Sequence, residues 1–134
     1  MDGHEKHYYV GHAATDQVED SGWFVGQFAP EGLRRQTKVE LKWGVHPDGE
    51  TRMGRCVTGV ATTISVLMKG ALEVTLGFAS KQHVILLKEQ GDYIIYDRDV
   101  AHSWRAIGET IVLTIRFPSV EVRNPGKEKL RIRS

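Results

Sequence analysis

Residues 39–46 alternate without a break: Val39, Leu41, Trp43 and Val45 are apolar, and Glu40, Lys42, Gly44 and His46 between them are not. Side chains on a strand point to opposite faces with period two, so this stretch predicts a strand with one apolar side. Its polar side faces either solvent or a pocket. An aromatic run, residues 22–28, predicts an earlier strand ending at the turn Pro30, Glu31 and Gly32. Residues 62–68 and 71–78 read as two strands paired across Lys69 and Gly70, and residues 83–87 as a further strand. Two β-branched runs, residues 93–96 and 111–117, flank an Asp/Arg-rich turn and His102, Ser103 and Trp104. Pro47, Asp48 and Gly49 mark a turn that leads into a loop over residues 50–59. Short strands with glycine-rich turns and no helical stretch predict an all-β sandwich or barrel over residues 22–118. Residues 1–21 read as a partly ordered tail and residues 119–134 as a basic one.

A chain of 134 residues supports one domain. Lys and Arg number 18 against 17 Asp and Glu, a net charge of +1 that gives no pull toward nucleic acid or an anionic membrane. No apolar run reaches the roughly 18 residues of a membrane span, and the first 20 residues lack the apolar core of a signal peptide. The expectation is a soluble cytoplasmic protein whose partner is a small molecule. The single Cys56 has no internal partner for a disulfide. His4, His7 and His12 lie in the tail, where no apolar stripe supports a helix that would gather them.

From Gly91 to His102 the spacing resembles the second motif of the cupin superfamily, G-x5-P-x-G-x2-H-x3-N. Gly91 takes the first glycine and His102 the histidine, while Asp97, Asp99 and Ala106 replace the proline, second glycine and asparagine. The first motif, G-x5-H-x-H-x3-4-E-x6-G, is matched at its end by Gly70. Thr63 then stands at the glutamate position, and Cys56 and Thr58 at the two histidines. The resemblance covers about residues 38–118. It implies a cupin-type jelly-roll β-barrel, or double-stranded β-helix, with three of the four metal-ligand positions changed.

Strand parity puts His102 and Trp104 on one face, Thr63 and Ser65 on another shared face, and Val112, Thr114 and Arg116 on the polar side of the last strand. Together these would form an aromatic wall with a few polar groups, the usual make-up of a small-molecule pocket. Three readings follow. In the first the site is metal-free: His102 is a general acid or base, Tyr93 or Tyr96 a second proton-transfer group, and Arg116 or Arg52 an anchor for an anionic substrate. Trp104, Thr63 and Ser65 then complete the substrate pocket. Some cupins without the metal set are epimerases or dehydratases, which is what the resemblance implies here. In the second, His102, Cys56 and His46 hold a divalent transition metal, zinc, iron or copper. In the third, the barrel is a metabolite sensor or a scaffold, a homodimer with Trp23, Phe24 and Phe28 on the shared surface.

Overall fold

A computed structural model describes residues 7–18, 21–56, 61–78 and 81–119, with the backbone alone at 53–56 and 78. The chain is almost entirely β. A single-turn helix α1 (Ala13–Asp16) precedes seven strands: β1 (Trp23–Val25), β2 (Glu40–His46), β3 (Thr51–Cys56), β4 (Thr62–Phe78), β5 (Lys81–Leu87), β6 (Tyr93–Tyr96) and β7 (Ala101–Phe117). All recorded pairings are antiparallel.

Two long strands organise the rest. β4 and β7 pair along nearly their whole length, and each bends midway, so their halves belong to two facing walls. The first wall runs β1, β2, the C-terminal half of β7, the N-terminal half of β4, then β6. The second consists of β3, the N-terminal half of β7, the C-terminal half of β4, then β5. The register slips between Leu67 and Ala71, opposite a turn of the chain at Gly108. Gly70 takes φ 81°, and a methyl group there would run into the Glu109 carbonyl and Thr110. Only glycine accepts that conformation at such close approach, which lets the strand leave one wall for the other.

Three sequence expectations change here. Residues 62–68 and 71–78 do not pair with each other across Gly70; they are one bent strand, each half paired with β7. The stretch after Gly49, expected as a loop, is β3 through Cys56 and pairs with β7. Trp23, expected at a subunit surface, is 3% exposed. Its ring meets Phe28 edge-on at 6.1 Å and carries the Arg116 guanidinium at 4.6 Å. The N-terminal segment packs on the barrel: Val18 donates its N–H to the Trp23 carbonyl, and Gly22 donates to the Gln17 side chain. Ser119 extends the ordered body past Pro118, donating to Glu40 and accepting from the Gln27 N–H. Residues 1–6 and 120–134, which hold His4 and the basic tail, lie outside the described residues.

The two walls distribute polarity oppositely. In the second wall Leu72, Val74, Leu76 and Leu87 point inward and form the buried cluster, joined by Leu67 and Val112 from the first. In the first wall the inward face is polar: Glu40, Thr63, Ser65 and Thr110 are all buried there. Its outward face carries aligned apolar rows, Leu41, Ile115, Ile64 and Ile95 in one and Trp43, Leu113, Val66 and Tyr93 in the next. The alternation of residues 39–46 is real, and its apolar side points out of the barrel.

Candidate functional site

His102 is the second residue of β7 and is buried, 7% exposed. It is aimed by the tight turn before it. Asp99 adopts φ 73°, the left-handed conformation that Asp tolerates better than most residues, so the backbone turn survives without the family's glycine. At the other end of the hairpin Gly91 sits at φ 95°, and the Asp92 carboxylate accepts the N–H groups of Lys88 and Glu89. The His102 Nδ1–H donates to the Val100 carbonyl at 3.2 Å, which leaves Nε2 as the acceptor. The Tyr96 ring tilts against the imidazole at 4.6 Å.

His102 opens on a cavity of about 70 Å³ inside the barrel. At roughly 10–15 Å³ per water-sized position, it holds on the order of five to seven non-hydrogen atoms. Trp104 and Arg52 come from the adjacent β7–β3 register, and Ser65 and Thr114 from facing positions of β4 and β7. His46 stands across from His102, its ring against Trp104 at 4.5 Å and its Nδ1–H donating to Glu50 at 2.7 Å. Lys42 and Arg116 complete the polar lining.

The electrostatics are lopsided. Three cationic side chains, Lys42, Arg52 and Arg116, line the cavity together with two histidines, and among the described residues no carboxylate does. The nearest buried acid, Glu40, is fully covered; it accepts from Arg116 at 3.4 Å and from Ser119 at 3.0 Å. Burial, and then the positive charges of Arg116 and Arg52, pull His102 down to a pKa of about 4, against the raising effect of its bond to Val100. Burial also lowers His46, opposed by Glu50 and helped by Lys42 and Arg52, so near neutral pH it is the uncharged imidazole that donates to Glu50. Both imidazoles are therefore uncharged at pH 7. The ordinary histidine value near the working pH, on which acid–base reasoning from sequence rests, does not hold for His102 with these neighbours.

The structure brings together His102, Trp104, Ser65, Arg52, Arg116 and His46 around this cavity. Thr63 lies just behind it, 1% exposed, its hydroxyl without a hydrogen-bond partner among the described residues. Tyr93 is elsewhere. Parity turns it to the outer face, 62% exposed, and Tyr96 takes the inward position. Lys42 belongs to the site and was missed as a site residue, although the polar side of residues 39–46 carried the signal for it. Cys56 pairs in register with His102, and its side chain, like Thr58, falls outside the described residues. A second cavity lies under the N-terminal segment between Tyr9, Phe24 and Arg34. Its polar groups serve one another: Tyr9 donates to Asp16, and Arg34 to the Asp16 and Phe24 carbonyls.

The described donors do not by themselves make a metal site, and the Cys56 side chain lies outside them. Among the described residues no three His, Cys, Asp or Glu side chains gather. The two imidazoles share their space with three cations, and the one buried carboxylate is turned to Arg116 and Ser119. Three cationic side chains in the same space oppose a divalent cation electrostatically.

No protein-family model matches the chain, and no curated protein sequence matches it. Solved structures do. An oxalate oxidase in complex with glycolate is 21% identical over 61% of this chain and 42% of its own, with a TM-score of 0.54. KdgF from Halomonas sp. is 15% identical, covering 69% of this chain and 76% of its own, at 0.52. A double-stranded β-helix domain protein from Klebsiella pneumoniae is 17% identical over 65% and 73%, at 0.55. The chain thus spans less than half the length of the oxalate oxidase it matches. No helix among the described residues is long and apolar enough to cross a membrane. With its bent β4 and β7 shared between two facing antiparallel walls, this chain has the double-stranded β-helix fold of these structures.

Proposed function

We propose that the barrel binds a small carboxylic acid of about two to four carbons, and that His102 moves a proton on the bound acid without a metal. The observation that carries this reading is the convergence of Lys42, Arg52 and Arg116 on a cavity of about 70 Å³ whose other titratable side chains, among the described residues, are two neutral histidines and Tyr96. A guanidinium offers two parallel N–H groups to a carboxylate, and Arg116 is pre-set for that by Glu40 on one side and the Trp23 ring on the other. Binding energy then goes into the contact and not into ordering a loose side chain.

The bound anion changes His102 as well. A carboxylate beside Arg116 and Arg52 offsets the charges that depress the imidazole, so its pKa climbs back toward the neutral range. Nε2, left open by the bond from Nδ1 to Val100, can then accept a proton from the carbon next to the carboxylate. Such a step belongs to epimerases and dehydratases. The matched oxalate oxidase holds glycolate, a two-carbon acid, which is consistent in size.

Thermal-shift titration with glycolate, oxalate, malonate, pyruvate and lactate, each against its neutral amide, tests the binding. At least one acid should raise the melting temperature, its amide should not, and Arg116→Gln should weaken the effect about 10- to 100-fold, as expected for a charge-assisted hydrogen bond. Loss of the α-proton of a bound hydroxy acid into D2O, seen by NMR and absent in His102→Gln, tests the proton transfer. If no acid acts, or elemental analysis of untagged protein finds a stoichiometric transition metal, this reading fails.

A further inference from the structure

We propose that His46 is a second catalytic base, facing His102 across the cavity, and that the bound acid is a chiral 2-hydroxy acid whose α-carbon the pair inverts. The inference rests on the proton-transfer reading above and adds the group which that reading lacks. A lone imidazole takes a proton from one face of a carbon and returns it to the same face. Inversion needs a second proton-transfer group on the opposite side.

The two histidines come from opposite walls. His102 stands in the N-terminal half of β7, in the second wall, and His46 ends β2, in the first; both line the same cavity. Each imidazole is held by an aromatic ring from the wall it faces, Tyr96 against His102 at 4.6 Å and Trp104 against His46 at 4.5 Å. Each is also fixed in tautomer. Nδ1 of His102 meets the Val100 carbonyl at 3.2 Å and Nδ1 of His46 meets the Glu50 carboxylate at 2.7 Å, so Nε2 is the acceptor in both neutral rings. Gly44 shows where the second Nε2 lies. Gly44 pairs with Val112, a cavity-lining residue, and a methyl group on Gly44 would come within 2.7 Å of the His46 Nε2. The ring thus folds back along the inner face of the first wall, into space that a side chain at position 44 would take. Glu50 behind it stabilises the imidazolium that forms when Nε2 accepts a proton.

The proton balance closes over the pair. A bound carboxylate offsets the positive charges that help keep both rings neutral, and the pair takes up one proton from solvent. The neutral histidine accepts the α-proton at Nε2, and the C–H electron pair passes into the carboxylate, giving an enediolate dianion. The opposite imidazolium then delivers its Nε2 proton to the other face of the carbon. The product is the mirror-image acid, and the two rings have exchanged protonation states. Lys42, Arg52 and Arg116 attract the dianion more strongly than the monoanion it comes from, so their charge favours the step and not only the binding. The same three cations would repel the ammonium of a 2-amino acid, which selects a hydroxyl at that position. A three-carbon hydroxy acid such as lactate suits a cavity of about 70 Å³.

The test is incubation of the full chain with (R)- and with (S)-lactate in D2O, followed by NMR for the α-proton and chiral chromatography for configuration. Wild-type protein should exchange the α-proton of both enantiomers and interconvert them. In His46→Gln one enantiomer should lose exchange by about 100-fold or more while its mirror image still exchanges through His102. In His102→Gln the two enantiomers should trade places, and interconversion should vanish in both variants. Gly44→Ala crowds the His46 ring without removing it, so it should slow the same half-reaction as His46→Gln and spare the other; it decides the matter if His46→Gln does not fold by circular dichroism. Exchange with retained configuration alone in the wild type, or both half-reactions undiminished in a folded His46→Gln or Gly44→Ala, overturns the second base and leaves His102 acting by itself. Absence of exchange for both enantiomers in the wild type removes the proton-transfer reading, and this inference with it.

Discussion

The two walls of this barrel use the same alternating strand in opposite senses. The second faces its Leu and Val side chains inward and puts an Arg105 to Glu73 pair at 3.8 Å on the outside, as a one-sided antiparallel sheet ordinarily does. The first turns Glu40, Ser65, Thr63, Thr110 and Arg116 inward and its apolar rows outward. The difference teaches where each property of the molecule resides. Cohesion comes from one wall and half of the interior, and the other wall gives its inner face to a site and its outer face to apolar contact. Buried polar groups in the site wall must satisfy one another, and most do: Thr110 donates to the Ala71 carbonyl at 3.0 Å, and Glu40 takes both Arg116 and Ser119.

The contrast breaks most sharply at Glu40. Glu40→Ala would take the buried carboxylate away from Arg116, 13% exposed, and should cost about 3–5 kcal/mol in urea unfolding. Replacing both partners, as Glu40→Leu with Arg116→Met, should recover much of that loss while removing carboxylate binding. In the other wall, Leu72→Ala opens a cavity in the buried cluster and should cost about 2–5 kcal/mol with ligand binding altered only through stability.

The pH dependence comes next in size. The folded pKa of His102, about 4, is depressed below its unfolded value of 6.5, so the unfolded chain binds the extra proton between these pH values. Stability therefore falls as pH drops from about 6.5 to 4, by on the order of 3 kcal/mol at roughly 1.4 kcal/mol per pKa unit. Urea midpoints across this window, compared with His102→Gln, measure that part of the slope. A bound acid should flatten it, and acid affinity should rise as pH falls from 7 toward 5, because the anion favours the charged imidazole. The smallest effect is at Thr63. Its hydroxyl lacks a partner among the described residues, so Thr63→Val should be neutral or stabilising by about 1 kcal/mol, a rise of a few degrees in melting temperature.

What the sequence determined by itself was the class of fold, through period two, and the place of His102, through a hairpin whose Gly91 and Asp99 still take the positive φ values the turn demands. Those are local properties, set by sterics within a few residues. It also marked which residues share a face, so His102 with Trp104, and Ser65 with Thr114 and Arg116, were legible. It did not say which face was inside. For residues 39–46 the apolar side looks like the core by the usual one-way rule of burial, and only the barrel closure shows that the polar side is. The choice between Tyr93 and Tyr96 stayed open in the sequence for the same reason, and closure of the barrel makes Tyr96 the inward residue of that strand. The charge of the site was equally invisible, because Lys42, Arg52 and Arg116 are far apart in the chain and meet only through the pairing of β2 and β3 with β7. The depression of His102 follows from that meeting: desolvation and neighbouring charge are properties of the closed barrel, and no window of sequence contains them.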